Sequence, residues 1–243
     1  MNAFGIFWQV IFPIFFIILI GALLERALTL DISTLTRINF YAFVPALVFV
    51  KMLQADLSLL TMGHIALFVL AHSALMLLIA LLLYQHRMFQ PYRKVLLLAS
   101  MLTNAGNYGI PFVLLAFGDR YMSVAAVVLL VQNLLTFTVG VLLMESSQQQ
   151  RMHILRAISR LVSLPVALRL AIAPLLALAM LPLFTFPHDV GTVLVATAGL
   201  PIAVNVFILS AQYHVHEAFA SQIATVSTLL SAVSQSAWLA FLQ

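Results

Sequence analysis

Thr103-Asn104-Ala105-Gly106-Asn107-Tyr108-Gly109-Ile110-Pro111 is the stretch that decides how this chain folds. It lies inside a hydrophobic run, roughly residues 95–118, long enough to cross a bilayer. Two Gly, two Asn and a Pro in such a run predict a broken helix. Pro111 has no N–H to donate, its ring clashes with the Asn107 carbonyl, and Ile110 ahead of it is pushed out of the helical region. Each backbone group freed in hydrocarbon costs several kcal/mol, so the break is expected to be buried in protein or to line a wet cavity. A weaker copy, Ala198-Gly199-Leu200-Pro201 followed by Asn205, interrupts a second apolar run. Paired interruptions of this kind point to the substrate site of a transporter.

The composition sets the medium. Of 243 residues, 64% are hydrophobic and 7% charged, whereas soluble domains carry about 25% charged residues. The expected fold class is therefore an all-α polytopic membrane protein, with the lipid bilayer as a partner. The formal charge of +4 reports loop cations, not affinity for nucleic acid. With no Cys, there is no disulfide framework, thiolate nucleophile or thiolate metal site. The chain also lacks a His/Glu pair at metal spacing, a phosphate-cradling Gly loop and a nucleophile elbow, so neither enzyme chemistry nor a cofactor or metal is expected. The first apolar run has no basic leader and no small-residue cleavage site, and reads as a retained helix.

Spans of about 20 apolar residues fit at approximately 4–24, 38–54, 60–84, 95–118, 121–144, 161–183, 190–213 and 218–241. The polar, basic stretch 146–160 is a linker between a five-span first repeat, 1–145, and a three-span second part, 161–243. Its Arg151, Arg156 and Arg160 alternate with apolar residues, as in a helix lying on headgroups. Loops after odd-numbered spans hold Arg26, Arg37, Arg87, Arg93, Lys94, the three linker arginines and, just inside the next span, Arg169. The opposite side has Lys51 and Arg120. Cytoplasmic loops carry the excess of Lys and Arg, which places both termini outside and the broken fourth and seventh spans antiparallel. Gly109-Ile110-Pro111 then aligns with Gly199-Leu200-Pro201 as an inverted repeat.

Asn104, Asn107 and Asn205 are the leading candidates for binding. A neutral amide donates to a carboxylate without placing an uncompensated charge in lipid. The alternative is that these amides cap their own broken helices. Pro111 and Pro201 would sit at or near the first turn of restarted helices, next to Gly109 and Gly199, where free N–H groups favour an anion by about 0.3–2 kcal/mol. Gln132 and Asn133 either line the same cavity or bond between helices. His72, deep in the third span, reads as a neutral ring bonded to backbone, with a proton relay as the alternative. Lys51 reads as a snorkelling cation. All seven acids read as loop or span-end residues, leaving no carboxylate at mid-depth to couple a cation, although carbonyls of the unwound segments could still bind a sodium ion. The simplest expectation is anion movement down the membrane potential, worth about 2.3 kcal/mol per charge per 100 mV.

Four segments resemble the auxin efflux carrier family. They are Phe12-Pro13 leading to Gly21, and Phe40-Tyr41-Ala42-Phe43-Val44-Pro45-Ala46-Leu47. The third runs from Asn104 through Pro111 to Val131-Gln132-Asn133-Leu134-Leu135 and Gly140. The fourth runs from Gly199-Leu200-Pro201-Ile202-Ala203-Val204-Asn205 through Glu217-Ala218-Phe219-Ala220-Ser221 to Ser227-Thr228-Leu229-Leu230-Ser231. The resemblance implies two inverted five-span repeats whose fourth and ninth spans are broken and crossed, with an organic-anion site at the crossing. Counterparts of the family's sixth and seventh spans are missing here, and a second copy of the chain could supply the absent surface. The expected function is a secondary transporter or permease of small organic anions in the cell (inner) membrane, running in the efflux direction. A transport-deficient anion-binding or regulatory membrane subunit is the alternative, with an anion channel third.

Overall fold

The computed structural model describes residues 3–55, 57–145 and 164–242. The linker expected at 146–160 lies outside them. The expected spans are met by helices α1 (Phe4–Leu28), α2 (32–53), α3 (Leu59–Leu83), α4 (Arg93–Met101), α5 (Ala105–Phe117), α6 (Asp119–Glu145), α7 (Leu164–Leu183), α8 (His188–Ala198), α9 (Val204–Gln212) and α10 (Glu217–Leu242). Of these, α1, α3, α6, α7 and α10 are each long and apolar enough to cross a membrane. The fourth span is divided into α4 and α5, and the seventh into α8 and α9. A helix of nine residues, such as α4 or α9, reaches about 14 Å, roughly half the hydrocarbon thickness.

Lipid-facing surface is apolar, as a bilayer requires. Leu19 and Leu23 on α1, Leu82 on α3, Leu142 on α6 and Val233 on α10 are all exposed. The core lies between the broken spans and their neighbours, where Leu96, Leu98, Phe112, Val193, Leu200 and Ile202 are fully enclosed.

The prolines act differently from the expectation. Wide turns with i→i+5 geometry run over Phe7–Ile11, Asn39–Phe43, Ala105–Gly109 and Leu168–Ile172. Each ends two residues before a proline, namely Pro13, Pro45, Pro111 and Pro174. The extra residue in the turn relieves the clash between the proline ring and the carbonyl behind it, so the helix bends and continues. Ile110 consequently stays helical, at φ −60° and ψ −57°, which corrects the prediction that Pro111 breaks the span. The break falls upstream, at residues 102–104, where Leu102 is extended at φ −93° and ψ 129°.

At Pro174 the freed carbonyl has a named replacement donor. Pro174 cannot donate to Leu170 four residues back, and the indole Nε1–H of Trp238 on α10 donates to the Leu170 carbonyl instead, at 3.0 Å. One further wide turn, Thr136–Gly140 in α6, contains no proline. There Thr136 and Thr138 donate their hydroxyls back to the carbonyls of Gln132 and Leu134, a pattern that bends helices.

Candidate functional site

The two broken spans meet through their backbones. Thr103 faces Ile202 in an antiparallel bridge, flanked by Asn104 N–H donating to the Pro201 carbonyl at 2.9 Å and Ala203 N–H donating to the Leu102 carbonyl at 3.2 Å. In an antiparallel pair of this register the two facing residues point their own N–H groups outward, where they need other partners. Each finds one on a neighbouring helix. Gln132 Oε1 on α6 accepts from Thr103 N–H at 3.0 Å, and Ser227 Oγ on α10 accepts from Ile202 N–H at 2.8 Å. The bridge thus satisfies backbone that the sequence leaves unwound in an apolar medium.

The bridge also fixes the register of the crossing. Thr103 is opposite Ile202, so the Gly-x-Pro alignment, which would match residue 109 to residue 199, is out of step with the backbone pairing. Pro201 is in the extended segment, with Ala203 capping α9 at ψ 137°, and is not in the first turn of the restarted helix. The likeness of the two tripeptides has a different basis at each place. Pro111 follows a wide turn, while Pro201 offers its carbonyl to the crossing. Gly109 is needed for close approach: a Cβ there would lie 2.8 Å from Leu200 Cδ1 and 3.3 Å from the Asn104 carbonyl oxygen.

Around the bridge is a cavity of about 30 Å³, lined by Asn39, Thr103, Asn104, Asn107, Gln132, Asn133 and Asn205 together with small and aliphatic residues. The structure therefore brings Asn104, Asn107, Asn133 and Asn205 to one place, and leaves Gly109, Pro111 and Pro201 behind the lining as framework. Asn104 is buried and makes no capping bond to the turn it precedes. The Thr103 hydroxyl is buried in the same place without a hydrogen-bond partner among the described residues. Asn205 Nδ2 reaches Thr136 Oγ1 at 3.4 Å. The Gln132 amide is occupied at both ends, accepting from Thr103 and donating to Ser73 Oγ at 3.2 Å.

The cavity adjoins a cleft of about 1200 Å³ between α2, α6 and α9, and Val44, Asn133 and Asn205 line both. The cleft wall is largely apolar, including Tyr41, Pro45, Phe49, Phe137 and Phe207, and Arg37 is the charged residue in it. A polar niche beside an apolar trough suits a solute with one polar end and one apolar end.

Asn39 was missed by the sequence reading and Arg169 is placed differently from it, whereas His72 is bonded to backbone as read. Asn39, on the first turn of the wide segment in α2, joins the lining; its position just ahead of an apolar run was the available signal. His72 is outside the lining, its Nε2–H donating to the Ala173 carbonyl at 2.9 Å and its ring stacked on Phe68. Arg169, counted with the loop cations, is fully buried at the crossing. Its Nη1 donates to the Ser100 carbonyl at 3.0 Å and its Nη2 to the Ala198 carbonyl. Removing it from the loop count leaves the excess of cations after odd spans intact. Lys51 pairs with Asp119 at 2.6 Å, joining the end of α2 to the start of α6.

Crossed, interrupted helices around a polar niche are the arrangement that points to a membrane transporter. The family model described as membrane transport protein matches residues 6–156, more than half of the chain, and the chain belongs to that family. It is the family of the auxin efflux carriers that the four segments resemble. No curated protein and no solved structure matches the chain.

Proposed function

We propose that this permease carries small organic anions, binding the carboxylate in the niche at the crossing and the apolar body in the adjoining cleft. The observation that carries the reading is the cluster of Asn104, Asn107, Asn133 and Asn205 around a Thr103 hydroxyl with no partner among the described residues, beside the N-terminal ends of α5 and α9. Amides and a hydroxyl can donate to a carboxylate, and the two helix ends add partial positive charge without a formal cation in the niche. A volume of about 30 Å³ accommodates little more than a water or a carboxylate group. The rest of the solute would therefore lie along Phe49, Phe137 and Phe207, which favours a monocarboxylate with an apolar body over a dicarboxylate.

In this reading the chain is a multi-pass protein of the cell membrane with both termini outside. Residues 161–243 form a second repeat shortened by two spans, a second copy completes the surface around the cleft, and the interior-negative potential drives efflux. The test is counterflow in proteoliposomes with radiolabelled phenylacetate and succinate. Saturable exchange of phenylacetate in preference to succinate is expected. Binding of phenylacetate without exchange would instead support an anion-binding subunit, and a non-saturating current would support a channel.

A further inference from the structure

We infer that Arg169 is a tethered cation that locks the crossing, occupying the place where both broken spans would otherwise present a cation site. The two N-terminal halves, α4 and α8, end close together, and each end exposes carbonyls that have no helical partner. Each helix C-terminus carries roughly half a negative charge, so two of them together present about one. The Arg169 guanidinium supplies one positive charge and donates to both ends at once, to Ser100 near the end of α4 and to Ala198 at the end of α8. It is fully enclosed. The carboxylates of the described residues are all exposed, and none is its partner. Backbone dipoles are thus its counter-charge.

The wide turn Leu168–Ile172 that carries Arg169 is held on both sides. Its carbonyl at Leu170 takes the Trp238 N–H, and the next turn takes the His72 N–H at Ala173. Arg169 is therefore a positioning residue. It touches no part of the niche, but it fixes α4 and α8 to α7, so that the free ends at the crossing are the two positive ones that face Asn104 and Asn205. The consequence deepens the anion-carrier reading and rests on it for what those positive ends meet. With its negative ends already neutralised from within, the crossing needs no sodium ion or proton to hold it together.

The test uses the full chain in lipid nanodiscs, with thermal unfolding followed in choline, sodium and guanidinium chlorides at equal ionic strength, guanidinium being kept to low millimolar concentrations. The wild-type midpoint is expected to be the same in all three. Arg169→Ala is expected to unfold earlier in choline, its midpoint lowered by at least about 2–4 °C, and to recover with guanidinium. Arg169→Lys, which keeps the charge, is expected to remain indifferent to the added cation. A wild-type midpoint that rises with sodium overturns the inference, and so does an Arg169→Ala protein that guanidinium does not restore. If Arg169→Ala does not fold, the wild-type and Arg169→Lys responses decide the matter. Phenylacetate counterflow in the same preparations separates the two readings. Absent flux with a cation-indifferent midpoint refutes the carrier, whereas saturable flux with a sodium-dependent midpoint refutes only the role of Arg169.

Discussion

Gln132 Oε1 lies 3.0 Å from the backbone nitrogen of Thr103 and accepts its hydrogen. A side chain on α6 thereby completes the hydrogen bonding of a residue whose own helix ended two positions earlier. Ser227 does the same for Ile202 from α10. Leaving a buried donor unpaired costs about 1–3 kcal/mol. Gln132→Leu and Ser227→Ala should therefore each destabilise the protein by about that amount. Unfolding midpoints measured in one lipid composition check this, and a midpoint unchanged in both variants would remove the account of how the crossing is held.

The niche amides make a separate prediction about affinity. Asn104→Ala and Asn107→Ala should each weaken phenylacetate binding by about 1–3 kcal/mol, or about 5- to 150-fold, while the unfolding midpoint changes little. Equilibrium binding to the purified protein measures it. Unchanged affinity would leave both residues as parts of the broken backbone alone.

Gly109 and Leu200 should behave as a coupled pair. Adding a methyl group at residue 109 drives it into an enclosed leucine from the other broken span, and overpacking of this kind costs about 1–3 kcal/mol. In a double-mutant cycle, Gly109→Ala should be less damaging once Leu200→Ala has made room, giving a coupling of about 0.5–3 kcal/mol. Strict additivity would mean that the two segments are not in contact.

Trp238→Phe should destabilise the protein by about 1–3 kcal/mol, because it orphans the Leu170 carbonyl. In a Pro174→Ala background the backbone regains an N–H at that position, and the loss should shrink. Comparing unfolding midpoints of the two single variants and the double variant tests whether Trp238 stands in for the missing donor.

His72 is predicted to be structural. Its Nε2–H is committed to Ala173 and its ring to Phe68, so His72→Gln should lower stability while leaving the pH profile of phenylacetate exchange in place. Loss of a pH-dependent flux in this variant would restore a proton-relay role.

Much of this architecture was legible in the residues. Apolar runs located the spans, and Gly, Asn and Pro at depth marked the two interruptions, because few residues of those types can be paid for in lipid. What the sequence concealed was where backbone leaves the helix. Pro111 looked decisive, yet a wide turn before it absorbs the clash, and the chain opens at Leu102 because a distant segment, Pro201 to Ala203, offers backbone partners there. Arg169 was misread for a related reason. Its partners are the carbonyls of Ser100 and Ala198, and a carbonyl has no letter of its own. Asn104, Asn107, Asn133 and Asn205 stood out because amides are rare in apolar runs, whereas Asn39, at the edge of the expected second span, did not.

The contacts that join one broken span to the other at the Thr103–Ile202 bridge run between main-chain atoms, which every residue except proline can supply in full. The joint is thus largely indifferent to which side chains project from it. Apart from Gln132, whose amide is bonded to the bridge itself, residues facing the solute can be exchanged for others of tolerable size without loosening the knot beneath them, and a single scaffold of this kind can be tuned to new cargo one side chain at a time.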